Sequence, residues 1–181
     1  MYKRIMIVVD DSEVTKAAVR EGLTLAKQHN SEVHFFHVLS NYVLPIADGL
    51  AMGYLTMDEH RQEVERTAVR LFTAATSLAK RMGVTSSVTT GSGAEAAVCI
   101  VEAAIKQKCG LIVVGSHGRN ALERLIFGSV VTRLITLATV PVLVCKNKTP
   151  AKVQPGAVKS VPALKRKQAV RKPATPQPFG V

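Results

Sequence analysis

The sequence predicts an α/β fold: a doubly wound parallel sheet of five strands with helices covering both faces. Three observations predict it. Short β-rich runs alternate with longer segments of helical period along the first 148 residues. Two of the short runs, IMIVV at 5–9 and LIVVG at 111–115, are almost unbroken in apolar residues, as a strand buried on both faces requires. Between them Val64, Ala68, Leu71, Phe72, Ala75, Leu78, Ala79 and Met82 recur at the spacing of one helix face.

Taken in order, the first strand runs from Arg4 to Asp10. Ser12 stands at an N-cap position, and Val14, Ala17, Ala18, Leu25 and Ala26 make the inward stripe of a helix reaching about Gln28. Val33 to Leu39 is the second strand. Residues 40–56, with Pro45, Gly49 and Gly53, lack a clean period and form a long connection of the kind that is often functional or disordered. The helix ending at Met82 is stopped by Gly83, and Val84 to Thr90 is the third strand. A GSG turn at 91–93 leads into a helix with Ala97, Ile100, Val101, Ala104 and Ile105 inward, ending at Cys109 and Gly110. Leu111 to Gly115 is the fourth strand, Val130 to Ala138 a helix, and VPVLVCK at 140–146 the fifth strand. Crossovers in such a sheet are right-handed, and ligands sit beyond the carboxyl ends of the strands where the strand order reverses. That directs attention to Asp10, Asp11 and Ser12, and to the residues from Gly115 onward.

A chain of 181 residues holds one compact domain with some excess. No stretch reaches the length of a membrane span, and the acids of MYKRIMIVVDDSE interrupt any export signal, so a soluble cytoplasmic protein is expected. Cys99, Cys109 and Cys145 form neither an even set nor a CxxC pair, which speaks against a disulfide framework or a zinc site. The formal charge of +11 is unevenly placed. From Thr149 to Val181 stand seven cations (Lys152, Lys159, Lys165, Arg166, Lys167, Arg171, Lys172), no acid and six of the eight prolines. Such a segment buries too little to offset its ordering entropy. The expected organisation is a domain over 1–148 and a disordered basic tail over 149–181.

After the fourth strand the chain reads GSHGRNALERLIFGSVV. Backbone N–H groups hold a phosphate chain only where no Cβ obstructs the approach, and a helix N-terminus adds donors and a favourable dipole. Gly115 and Gly118 supply a turn at the strand end, and Gly128 with Ser129 opens the last helix. An isolated GxxG would mean little; strand before and helix after, at the expected switch point, make it a phosphate site.

The pattern of Gly115, two residues, Gly118, nine residues, Gly128 and Ser129 resembles the nucleotide-binding signature of the universal stress protein family. The resemblance covers about residues 2–146, through IVVDDSE, FFHVLS, GLIVVGSHG, FGSVVTRLI and VPVLVCK. It implies the adenine nucleotide alpha hydrolase-like fold with strand order 3-2-1-4-5, ATP binding with or without Mg2+, a regulatory role in the stress response, and a homodimer through residues 140–146. The open edge of an apolar last strand agrees with pairing. The resemblance further implies that Asp10 accepts from the adenine amino group while Val8 and Val9 line the base pocket and Val38 adds a wall or a backbone contact. Gly115, Ser116, His117 and Gly118 would contact ribose and the first phosphates, and Gly128, Ser129 and Val130 would hold phosphates at the helix start. Two positions depart from the family pattern. Val131 stands where members often have Thr or Ser, removing a hydroxyl from phosphate or metal, and Ser92–Gly93 replaces a common Pro.

Other candidates are weaker. Asp10 and Asp11 are adjacent and point to opposite sides, one toward ligand and one toward the helix start. His117 has no partner to orient it as a base and reads as a ligand contact or a solvent-facing side chain. His34 and His37, three apart on a strand, point opposite ways and make no metal pair. Arg119 reads equally as a phosphate contact or a solvated loop charge, and Arg124 and Arg133 follow it. No Walker lysine, GxSxG or kinase set is present, so binding without efficient turnover is expected, with slow ATP hydrolysis or phosphorylation of Ser129 or Thr132 at most. A second function class is an adaptor whose basic tail binds nucleic acid or another polyanion; the alternative for the tail is a solvated extension.

Overall fold

The computed structural model describes residues 2–39, 57–116 and 128–146, with side chains from 61 onward in the second helix. The connection 40–56, the segment 117–127 and the chain from 147 to its end, which includes the basic tail, lie outside the described residues. In chain order the elements are β1 Arg4–Val8, α1 Glu13–His29, β2 Glu32–Leu39, α2 Met57–Met82, β3 Ser86–Ser92, α3 Ala96–Lys106, β4 Leu111–Gly115, α4 Ser129–Leu137 and β5 Val142–Cys145. The strands form one parallel sheet in the order β3-β2-β1-β4-β5. No described helix is long and apolar enough to cross a membrane.

Alternation along the central strands divides the core in two. Ile5 and Ile7 of β1, with Val9 just beyond it, join Val33, Phe35 and Val113 against α1 and α2, where Ala18, Leu23, Ala75 and Ala79 receive them. Met6, Phe36, Ile112 and Val114 face the other way, against Ala97, Ile100, Ala104, Val131 and Leu134 of α3 and α4. Fully apolar runs are therefore required, because successive side chains enter opposite cores.

The structure moves some expected boundaries. Expected to extend to Asp10, β1 ends at Val8, though the Val9 N–H still donates to the Phe36 carbonyl at 2.8 Å. The third strand is shifted from 84–90 to Ser86–Ser92, so Gly91 belongs to the strand rather than to a turn. The reason is packing: a Cβ on Gly91 would lie 2.6 Å from the Phe36 ring. Ile105, expected inward, is 60% exposed. It lies on the flank of α3, where Ala97, Ile100 and Ala104 are the buried residues, and the helix ends one residue later.

The outer strand β3 is joined to β2 through a buried imidazole. His34 is 1% exposed, with Nδ1 2.8 Å from Ser87 Oγ and Nε2 2.9 Å from Thr89 Oγ1. Burial, and then the nearby Arg4 guanidinium, lower its pKa below the ordinary 6.5. The unfolded chain therefore takes up the proton more readily. The stability that His34 contributes is complete above about pH 6.5 and is lost as pH falls through its folded value. Denaturation midpoints between about pH 7.5 and 5 should fall, and His34→Asn should flatten that slope; an unchanged slope would remove His34 as its source.

On the opposite core, a Cβ on Gly22 of α1 would stand 2.5 Å from Ile7 Cδ1. Gly22→Ala gains about 1 kcal/mol of helix propensity, but the overlap should leave a net loss of about 1–2 kcal/mol in urea denaturation. Ile7→Val removes the nearer of the two overlapping atoms, Cδ1, and leaves Cγ1 at 2.9 Å, so the double variant should be more stable than the two single losses added together. Strict additivity would show that the contact is not the cause.

Candidate functional site

Strand order reverses across β1, which pairs with β2 on one side and β4 on the other. Extending the Ile7↔Val113 register brings Asp10 level with Ser116, and extending Val8↔Phe36 brings it level with Val38. Thus the end of β1 is flanked by the ends of β2 and β4 at the place where an open α/β sheet binds its ligands.

Asp10 is fixed there by local hydrogen bonds that its sequence neighbours supply. Its Oδ1 accepts from the Ser12 N–H at 3.0 Å, from Ser12 Oγ at 2.5 Å and from the Thr15 hydroxyl. The Asp10 N–H donates in return to Thr15 Oγ1 at 3.2 Å. All three donors converge on one carboxylate oxygen, and among the described residues Oδ2 accepts no hydrogen bond. The carboxylate is oriented through one oxygen alone. Ser12 does occupy the N-cap position, but its hydroxyl makes no cap bond because it is engaged with Asp10. Thr15, 8% exposed, belongs to none of the motifs that the sequence presents. Its signal is the Asx-turn pattern of an acid followed two residues later by Ser and five later by Thr at the start of a helix.

Gly115 closes β4 and is buried. A Cβ there would stand 2.9 Å from Val14 Cγ1, so this glycine lets the first turn of α1 lie against β4. Ser116, 3% exposed, follows it; its N–H donates to the Cys145 carbonyl at 2.7 Å and its carbonyl accepts from the Gly128 N–H at 3.1 Å. That hydrogen bond ties the end of β4 to the start of α4. Gly128 is the N-cap of α4, and no side chain caps that helix. Ser129 and Val130 are exposed at its first turn, which holds no acid, whereas the first turn of α1 carries Glu13. Among the described residues the start of α4 thus has no side-chain cap and no acid, and its dipole favours negative charge there.

Val8 and Val38 pack on the α3/α4 side of the sheet, whereas Val9 is 1% exposed in the core on the α1/α2 side. Of the two valines before Asp10, Val8 is the one whose side chain shares a face with Val38. His117 and Gly118 lie outside the described residues, as do Arg119 and Arg124. Val131 is 2% exposed and packs in the core with Val114 and Leu134, so a side chain at this position faces the sheet. Arg133 Nε is 2.7 Å from Glu95 Oε1, tying α4 to the residue before α3. His37 Nδ1 lies 2.7 Å from the Val9 carbonyl oxygen, on the opposite face from His34. Burial pushes the Cys109 thiol up to about 11 and raises that of Cys145, which keeps both protonated and unreactive at neutral pH. Among the described residues no three His, Cys, Asp or Glu side chains gather as a metal site would require.

The chain and its fold have counterparts among known proteins. A profile of the Universal stress protein family matches residues 1–146. A universal stress protein of Methanocaldococcus jannaschii is 34% identical over 150 residues, covering 81% of this chain and 84% of that protein. The solved structure of another universal stress protein of that organism superposes with a TM-score of 0.70 at 23% identity, covering 83% of this chain and 99% of the other. A universal stress protein of Archaeoglobus fulgidus, solved in complex with dAMP, superposes with a TM-score of 0.56 at 24% identity over 80% of this chain and 98% of that one. With its profile match spanning the whole sheet, the chain belongs to the universal stress protein family.

Proposed function

We propose that this chain binds an adenine nucleotide, ATP in the first place, across the carboxyl ends of β1 and β4, and that occupancy serves regulation in the stress response rather than turnover. The observation that carries the reading is the held Asp10 carboxylate, with Oδ2 open, beside an uncapped and acid-free helix start. The dAMP complex of the Archaeoglobus relative supports an adenine nucleotide in this fold. Asp10 Oδ2 accepts from the adenine amino group, and Val8 and Val38 supply the apolar wall. Ser129 and Val130 offer backbone N–H groups to the phosphates at the helix start that Gly128 opens, favoured by the helix dipole. Gly115, Ser116, His117 and Gly118 border the ribose and the first phosphates, and magnesium enters as the partner of the phosphates. Cytoplasmic residence and a homodimer through residues 140–146 belong to the same reading; β5 is an end strand of the sheet, with one edge open to pairing.

Titration calorimetry of nucleotide-stripped protein with ATP at millimolar magnesium should give saturable binding, and its absence would overturn the proposal. Asp10→Ala should weaken ATP by about 10- to 100-fold, the value of a hydrogen bond to a charged group, while leaving a parallel titration with GTP unchanged. Equal losses for both nucleotides would detach Asp10 from the base.

Thr15 acts on the ligand only through Asp10 and is a positioning residue. Thr15→Val removes both a donor to the carboxylate and the acceptor of the Asp10 N–H, which should cost about 1–3 kcal/mol of stability and weaken ATP several-fold. Thr15→Ser should restore both; if it restores stability but not affinity, the hydroxyl does not position Asp10.

A further inference from the structure

The edge of the sheet opposite the nucleotide edge has a chemistry of its own. In a right-handed parallel sheet each helix runs against the strands, so helix ends return to the strand starts. α1 ends at His29 three residues before β2, α2 at Met82 four before β3, and α3 at Lys106 five before β4. Lys27, Lys80, Arg81 and Lys106 are therefore gathered at this end, together with Lys3 ahead of β1 and Lys108 ahead of β4. All six are exposed, and among the described residues none makes an ion pair. Of the nearby acids, Glu32 is held by Arg4 at 2.6 and 3.1 Å, and Glu102 stands about one turn back along α3.

Cations in the last turn of a helix answer its dipole, which accounts singly for Lys27, Lys80, Arg81 and Lys106. It does not account for Lys3 or Lys108, which lie on no helix. Lys108 even takes a left-handed backbone, φ 54°, where Gly or Asn would be at ease. Nor is the array loose. The Glu32 N–H donates to the Lys3 carbonyl at 2.9 Å, Val33 N–H to Thr85 at 2.9 Å, and Gly110 N–H to Arg4 at 2.9 Å. Arg4 Nη1 reaches the Gln107 carbonyl at 2.9 Å. The connections that carry the cations are stitched to one another.

We infer that this end of the sheet docks on the phosphate backbone of double-stranded nucleic acid. A fixed array of unpaired cations meets the main requirement of backbone binding, the release of several counterions at once. No described aromatic residue is exposed, so bases are not stacked and single strands are not favoured. The exposed large apolar residues, Val69, Val88, Ile105, Val130 and Ile135, are spread over four elements rather than aligned as an insertion face, which disfavours an anionic membrane. These cations belong neither to the residues proposed for the nucleotide nor to the segment 149–181.

The test uses the full chain and a fluorescent DNA duplex of about 20 base pairs, with anisotropy read across a salt series. Lys27→Gln, Lys80→Gln, Lys106→Gln and Lys108→Gln combined should weaken binding at least about tenfold and reduce the salt slope by about 0.9 for each phosphate no longer neutralised. A tail variant, Lys165→Gln with Arg166→Gln, Lys167→Gln and Arg171→Gln, separates that segment's contribution. Duplex binding unchanged by the first variant, or abolished by the second alone, overturns the inference, as does the absence of duplex binding. Binding to phosphatidylserine vesicles in its place also overturns it. If the fourfold variant melts early, the pairs Lys27/Lys80 and Lys106/Lys108 are read separately, each expected to lower the slope.

Discussion

Helix α1 lies on the seam between β1 and β4 through two absent side chains. At its middle, Gly22 leaves room for Ile7 and Val113; at its start, Val14 occupies the space above Gly115. A Cβ at either place would meet a neighbour within 3 Å, so the helix would have to lift or slide. Its first turn carries Ser12 and Thr15, whose hydroxyls hold the Asp10 carboxylate. The placement of Asp10 beside β4 is thus a consequence of packing along the whole helix. The same contact fixes Gly115, and through Ser116 it fixes the point where the chain returns to open α4.

Much of the fold was legible because burial on two faces writes itself into composition. A strand such as Arg4–Val8 must fill two cores with successive residues, and no polar residue is tolerated among those that do so. The outer strand was less legible for the same reason. Its sequence SSVTTGS lines a partly exposed edge, and its position was decided by Phe36 packing over Gly91 and by His34 finding Ser87 and Thr89. These are contacts between residues some fifty positions apart, which no local period records.

The candidate site was legible in its glycines and its aspartate, less so in their reasons. Gly115 reads in the sequence as room for a phosphate, yet its Cβ space belongs to Val14, so its geometric demand comes from the helix behind it. Val131 reads as a lost hydroxyl, yet helical phase turns that position into the core. Thr15 is hidden in the sequence because a threonine inside a helix is ordinarily a packing residue. Only the turn of the chain after β1 brings it under the Asp10 carboxylate.

Net charge misleads when it is read as one number. Helices that all run against the strands collect their C-terminal cations at one end of the sheet and their starts at the other, where Asp10, Asp11, Glu13 and Glu95 stand. The acids would repel a phosphate if the whole edge received it. They stand, however, at the starts of α1, α2 and α3, and Glu95 is paired with Arg133. Among the described residues the first turn of α4 holds no acid and keeps its positive dipole end unanswered. Asp10 is tied by Ser12 and Thr15 to the start of α1, so the acid held in place at this edge belongs to one helix and the acid-free first turn to another.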